Sequence, residues 1–277
     1  MILLDGNPVT VEKFPNGEIR IPVNDFQEKP IHNMSLRYRD DQDLLTMMFV
    51  KSHLDSICER CHLHIEYLPY SRMDRCNPSF IFTLKPLCEM INRMNFEWVR
   101  LIEPHSDVAP ALLNRCKSRT FSDALFKAVA NREIVFDRMV DAVLFPDAGA
   151  QKRYISKFAG CRVAVGDKTR DFATGSIKEI KLSGATINPG STVVIVDDLC
   201  SYGGTFVMAA DALRMAGAGY VYLVVTHCEK SIFKGDLLKT GKVDKVFTTN
   251  ILFDEEDIPE NQGFSHRIKI MQPMEIF

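Results

Sequence analysis

No stretch of this 277-residue chain comes near the ~20 consecutive apolar residues that a bilayer-spanning helix requires. The opening residues, Met1-Ile-Leu-Leu-Asp5, form a short apolar run without a basic lead, so they read as a first strand and not as a secretory signal. Charge of one sign is also missing. With 34 Lys+Arg against 36 Asp+Glu the net charge is -2, which gives no sign of a broad nucleic-acid or membrane surface and leaves any anionic ligand to be gathered locally. Repeats, low-complexity tracts and long linkers are absent, which leaves an ordinary globular chain with 46% apolar residues. Eight cysteines without an export signal imply reduced thiols in a cytoplasm-like compartment. Cys58-Glu-Arg-Cys61, with His62 and His64, has no second pair at finger-like spacing to complete a zinc site. It reads as a helix end with buried thiols.

What the chain does contain is alternation. Strand-like runs fall at Ile65–Leu68, Trp98–Ile102, Ala142–Phe145, Val163–Val165, Thr192–Val196, Tyr220–Val225 and Lys245–Phe247. Helical spacing appears over Asp43–Cys58, Leu84–Met94 and Phe206–Met215. Strands alternating with helices predict an α/β fold: two lobes, each a mainly parallel sheet flanked by helices. The expected division is residues 1–120 and 121–277, and a cleft between lobes is the expected ligand site.

The most informative segment is Thr192-Val-Val-Ile-Val-Asp197-Asp198-Leu-Cys-Ser201-Tyr202-Gly203-Gly204-Thr205-Phe206. An apolar strand ends in two carboxylates, a glycine turn follows, and then a helix begins. Ligands of open α/β sheets bind at the carboxyl ends of strands. Backbone N–H groups of such a turn, with a helix amino end behind them, favour an anion, and glycine lets a phosphate approach closely. The aspartates would repel phosphate but are suited to accept hydrogen bonds from sugar hydroxyls or to hold Mg²⁺. Diol beside phosphate describes a ribose phosphate.

This arrangement resembles the sugar-phosphate motif of phosphoribosyltransferases and of ribose-phosphate pyrophosphokinases. The rest of the chain is similar to the second family. Phe14-Pro-Asn16-Gly-Glu18 and Pro69-Tyr-Ser-Arg72-Met-Asp74-Arg75 resemble its ATP segments, and Glu103-Pro-His105-Ser stands where the family has a Mg²⁺-associated histidine. Phe145-Pro-Asp147-Ala-Gly149-Ala-Gln-Lys152-Arg153 resembles its Ser-Pro-Asp-x-Gly segment, Asp167-Lys168-Thr-Arg170 its catalytic loop, and Thr226-His227 its Thr-His after the next strand. Any one of these pieces alone is an ordinary turn or charged face; their order along the chain is the signal.

The resemblance implies transfer of the β,γ-diphosphoryl group of ATP to the anomeric hydroxyl of ribose 5-phosphate, with Mg²⁺ as cofactor and a homo-oligomer in which the ATP site is shared. Lys168 and Arg170 would be catalytic. Phe14, Asn16, Glu18, Arg72, Asp74 and Arg75 would bind ATP, His105 and Asp147 the metal. Asp197, Asp198, Ser201, Tyr202, Gly203, Gly204 and Thr205 would hold the ribose phosphate. Two departures bear on the acceptor. Ser201-Tyr202 replaces the family's Asp-Thr before Gly-Gly-Thr, and Met73 replaces a glutamine. An aromatic at position 202 suits a group attached beyond the 5′-phosphate, as in ADP-ribose. The family's last helix is also expected to be missing after Ile268–Phe277. A phosphoribosyltransferase or an inactive regulatory homologue are the remaining alternatives.

Overall fold

Asp5-Gly6 turns the chain back on itself within its first eight residues. Asp5 has φ 52° and Gly6 φ 86°, and Leu4 pairs with Asn7 across them. Two consecutive positive φ values are what a two-residue hairpin needs to match strand twist, and Asp-Gly tolerates both. A computed structural model describes residues 1–23, 26–76, 78–170, 177–260 and 263–272, with the side chains of 170, 177 and 178 left aside. These divide into two compact units, Met1–Thr120 and Phe121–Phe277.

Unit 1 contains β1 (Ile2–Leu4), β2 (Asn7–Pro8), β3 (Glu12–Lys13), β4 (Ile19–Arg20), β5 (Ile31–Leu36), α1 (Asp41–Ser56), β6 (Arg60–Ile65), α2 (Leu84–Arg93), β7 (Val99–Ile102), α3 (Val108–Leu112) and β8 (Cys116–Arg119). Its main sheet runs β2-β1-β5-β6-β7-β8, parallel from β5 onward, while β3 and β4 form a separate hairpin. The core places Met47, Val50 and Leu54 of α1 with Leu63 and Ile65 of β6 and Leu101 of β7.

The strand expected at Ile65–Leu68 lies earlier, at Arg60–Ile65. Cys61, Leu63 and Ile65 are buried while His62 and His64 occupy the other face, so half of the strand is polar and escapes an apolar-run criterion. The Cys58–Cys61 reading is corrected too. Cys58 is exposed in a left-handed turn (φ 61°) after α1, and only Cys61 is buried, in the strand.

A buried polar cluster closes one end of this sheet. His32 is fully buried; its Nδ1 lies 2.8 Å from Asp5 Oδ2 and its Nε2 2.6 Å from Glu59 Oε2. Burial pushes the Asp5 carboxyl up, but the Asn33 N–H with His32 and Lys29 outweighs it and holds Asp5 below the ordinary value. His32 likewise holds Glu59 down. Depressed carboxyl pKa values stabilise the fold above the ordinary carboxylate range, and that contribution is lost as pH falls through the lowered values. Thermal unfolding measured across pH should therefore show Asp5→Asn less stable than wild type at pH 7, with the gap closing below about pH 4. A gap independent of pH removes this cluster as the source.

Unit 2 contains α4 (Ser122–Arg132), β9 (Ala142–Phe145), α5 (Ala148–Tyr154), β10 (Arg162–Arg170), β11 (Ile177–Gly184), β12 (Thr192–Cys200), α6 (Gly204–Met215), β13 (Tyr220–Cys228), β14 (Lys245–Thr249) and β15 (Ile268–Met271). Its sheet runs β11-β10-β9-β12-β13-β14-β15, antiparallel only between β10 and β11. All four residues of β9 are buried, as a central parallel strand covered on both faces requires. From β9 the chain adds β10 and β11 on one side, then crosses to lay β12 on the other. The carboxyl ends of β9 and β12 thus flank a topological switch point, where open α/β sheets bind ligands.

The α/β expectation of two mainly parallel sheets flanked by helices holds. β12 and β13 both run further than expected, because Asp197, Leu199 and Cys200 keep pairing with Val225, His227 and Cys228. Thr226-His227 therefore lies inside a strand and not after it. α6 begins at Gly204 and not at Phe206.

Candidate active site

In unit 1, β6 and β7 are parallel neighbours, so the chain leaving each arrives at the same sheet edge. Pro69–Arg75 follows β6 and Glu103–Ser106 follows β7. Both departures hold a residue in the left-handed region, Tyr70 at φ 61° and Glu103 at φ 47°, a strain that tends to collect at functional turns. Asp74 is buried beside Ser106 and His105, with Arg75 Nε 3.1 Å from its Oδ1. Burial pushes the Asp74 carboxyl up, but the Ser106 hydroxyl and the Arg75 guanidinium hold it below its usual value. Arg72 and Arg75 are exposed. A buried carboxylate anchoring the exposed Arg75 guanidinium is a sound platform for phosphate.

Phe14, Asn16 and Glu18 sit on the β3–β4 hairpin. Asn16 Oδ1 accepts from the Glu18 N–H at 3.1 Å, and the Arg20 guanidinium lies 5.3 Å from the centroid of the Phe14 ring. The hairpin is exposed along most of its length, Phe14 included.

In unit 2, the acidic pair stands on β12 and meets a residue that the sequence reading assigned no role. Arg153, near the end of α5, directs Nη2 to Asp197 Oδ1 and to Asp198 Oδ1, at 2.8 Å each. Burial and the neighbouring Asp198 charge raise the Asp197 pKa well above its ordinary value, against the pull of Arg153. Asp147 caps α5, its Oδ1 accepting from the Ala150 N–H at 3.0 Å, while Lys168 donates to its Oδ2 at 2.6 Å. Burial pushes Asp147 up, but Lys168 and Ala150 hold it below the usual value. The switch point thus collects Asp147, Lys168, Arg153, Asp197 and Asp198.

Lys168 lies in a β-ladder, paired with Ile180, and not in a loop as expected. Arg170 ends that strand opposite Ile177; its side chain lies outside the described residues. A second residue without an assigned role, Ser122, donates to the Asp197 carbonyl at 3.2 Å and bonds Thr226 at 2.9 Å, so the backbone under the acidic pair is itself braced.

The glycine turn is shaped from outside. Gly203 has φ +83°, and a Cβ there would stand 2.7 Å from Leu237 Cβ. Gly204 and Thr205 open α6, whose first N–H groups have no intrahelical acceptor. Tyr202 is 59% exposed. Ser201 is tied to a second serine beside the turn. Ser231 Oγ donates to Glu229 Oε2 at 3.1 Å, and Ser201 Oγ lies 3.0 Å from Ser231 Oγ. Ser231 has one proton and Glu229 takes it, so Ser201 must donate to Ser231 and present only lone pairs to a ligand.

Among the described residues, no three His, Cys, Asp or Glu side chains gather to hold a metal ion. Asp147 still fits a metal that arrives with a nucleotide. Mg²⁺ takes one or two protein carboxylates and completes its shell with phosphates and water, and each Asp147 oxygen keeps a lone pair beyond the bond described above. No helix among the described residues is long and apolar enough to cross a membrane.

No family model matches the chain. Curated relatives do. Ribose-phosphate pyrophosphokinase of Sulfolobus acidocaldarius is 27% identical over 251 residues, covering 86% of this chain and 82% of the relative. The enzyme of that name from Pyrococcus furiosus is 26% identical, covering 88% and 86%. That from Campylobacter jejuni is 25% identical, covering 90% and 81%. The crystal structure of phosphoribosylpyrophosphate synthetase from Mycobacterium smegmatis shares the fold, with TM-score 0.73 and 20% identity over 96% of this chain and 86% of that one. Over most of its length the chain is thus similar to ribose-phosphate pyrophosphokinases, as a divergent relative of that family.

Proposed function

We propose that this protein is a Mg²⁺-dependent diphosphotransferase that moves the β,γ-diphosphoryl group of ATP to the anomeric hydroxyl of a 5-phosphorylated ribose. With ribose 5-phosphate the products are phosphoribosyl diphosphate and AMP. One observation carries the reading: the carboxylates of Asp197 and Asp198 stand at the switch point, on the strand that leads through the Gly203 turn into α6.

The anomeric oxygen attacks the β-phosphorus, the bridge to the α-phosphate breaks as AMP leaves, and the hydroxyl proton passes to solvent. Asp197 and Asp198 accept hydrogen bonds from the ribose hydroxyls and fix the sugar. Gly203, Gly204 and Thr205 offer N–H donors to the 5-phosphate at the amino end of α6. Lys168 and Arg170 stabilise charge on the phosphoryl oxygens in flight. Lys168 bonds Asp147 in the free protein, and the triphosphate offers it a more highly charged partner. Arg72, Asp74 and Arg75 take the nucleotide phosphates, and Asp147 and His105 are each candidate ligands for Mg²⁺, which screens the triphosphate when bound. No protein nucleophile is needed, since positioning and electrostatics supply such a transfer. The exposed hairpin of Phe14, Asn16 and Glu18 supports a homo-oligomer in which it completes the ATP site of another copy.

A second reading, the same chemistry on ADP-ribose, is favoured by Ser201 and Tyr202. A loop whose serine hydroxyl offers only lone pairs is a poorer grip for a terminal phosphate dianion. An exposed tyrosine there offers a face to an attached nucleoside. AMP release from ATP and Mg²⁺ with each acceptor decides. Release with ribose 5-phosphate supports the first reading, and release with ADP-ribose alone selects the second. No AMP with either overturns both.

A further inference from the structure

Arg153 stands on a short but firmly seated helix. Asp147 caps its start through Ala150, and Tyr154, next to Arg153, is fully buried with its ring 6.0 Å from that of Phe145. The guanidinium carbon lies 5.4 Å from the centroid of the Tyr154 ring. From this base one nitrogen, Nη2, reaches both acidic side chains, which are 14% and 5% exposed. Adjacent carboxylates in so dry a place repel each other, and the cheapest relief is a proton on one of them. A protonated aspartate would donate from one oxygen, whereas a ribose with vicinal hydroxyls needs acceptors. The Asp198 N–H also donates to Asp197 Oδ1 at 2.9 Å, so Arg153 and the backbone converge on that same oxygen and set the rotation of the Asp197 carboxylate.

Resting on the functional reading above, we propose that Arg153 is the positioning residue of the acceptor site: it keeps Asp197 and Asp198 together as an aligned pair of acceptors and so makes the site select a sugar with vicinal hydroxyls. It acts through the carboxylates and does not itself bond the sugar. The alternative role is a lock, in which Arg153 competes with ribose for the same oxygens. The two differ in sign: loss of a positioning residue weakens acceptor binding, and loss of a lock tightens it.

The test uses Arg153→Met, which keeps length and loses charge, and Arg153→Lys, which keeps charge. Calorimetry measures binding of ribose 5-phosphate, 2-deoxyribose 5-phosphate and ATP to the full chain, with thermal unfolding alongside. Wild type should prefer the ribose over the deoxyribose by about tenfold. In Arg153→Met, ribose 5-phosphate should weaken by about tenfold or more and the preference should fall to within about twofold, with ATP binding unchanged and Arg153→Lys recovering part of the loss. Retained preference, tighter binding in Arg153→Met, or parallel loss of ATP binding and thermal stability each overturn the proposal. So does a wild type that fails to distinguish the two sugars. AMP release tests the functional reading separately, because these binding measurements do not depend on turnover.

Discussion

Replacing Lys168 by alanine is expected to lower turnover by about 10²–10³-fold while nucleotide affinity changes by less than about threefold. The argument begins with where the lysine is held. Asp167↔Lys181 and Lys168↔Ile180 register it in an antiparallel ladder, so its backbone is fixed before any ligand arrives. Its ammonium lies 2.6 Å from Asp147 and its side chain is 15% exposed. A cation in such a place is worth more to charge developing in flight than to charge already present in bound ATP, for whose phosphates Arg72 and Arg75 are the proposed ligands. Single-turnover AMP formation, with nucleotide binding measured separately, is the check. Equal turnover in wild type and Lys168→Ala removes Lys168 from the chemistry. A loss of nucleotide affinity equal to the loss of rate reassigns it to binding.

Replacing Gly235 by alanine is expected to lower kcat/KM for the acceptor on the order of 10²-fold, although residue 235 is remote in sequence from every predicted site residue. Its backbone has φ -79°, which alanine adopts freely, so the reason is space alone. A Cβ at 235 would stand 2.0 Å from the Tyr202 carbonyl oxygen, 2.9 Å from its carbon and 3.2 Å from its Cα. Backbone cannot yield as a flexible side-chain tip can, so the 201–205 turn must shift. Next to it, Leu237 already fills the space where a Gly203 side chain would go, which leaves little room on that side. Overpacking of this kind costs about 1–3 kcal/mol in stability. The expected pattern is a modest drop in unfolding temperature, a large loss with acceptor and unchanged ATP affinity. Normal acceptor kinetics in Gly235→Ala would show that the turn does not need this packing.

Several features of the site were legible because they are local. Val193–Asp198 announces a buried strand with carboxylates toward its end, since apolar β-branched residues followed by Asp-Asp and Gly-Gly encode it within fifteen residues. Other features were misread for an equally local reason. Lys168 looked like a loop residue because Asp-Lys-Thr-Arg is polar; pairing with β11 makes it a strand. The bond between Ser201 and Ser231, which β13 brings beside the turn, has no mark along the chain either. Arg153 stood inside a recognised segment without a role. Nothing in its neighbours along the chain reveals that β9 and β12 pair, which is what carries the acidic pair to it.

The alternation of elements, the α/β class and the family resemblance were therefore determined by the amino-acid sequence alone, because periodicity and ordered motifs are properties of chain order. Tertiary structure alone decided which charges face one another. Lys168 on Asp147, Arg153 across Asp197 and Asp198, and Gly235 beneath Tyr202 are set by strand adjacency at the switch point and by packing of the chain beyond β13. Charge pairing and close approach depend on distances in space, and residues 21 to 45 positions apart carry no mark of these in sequence.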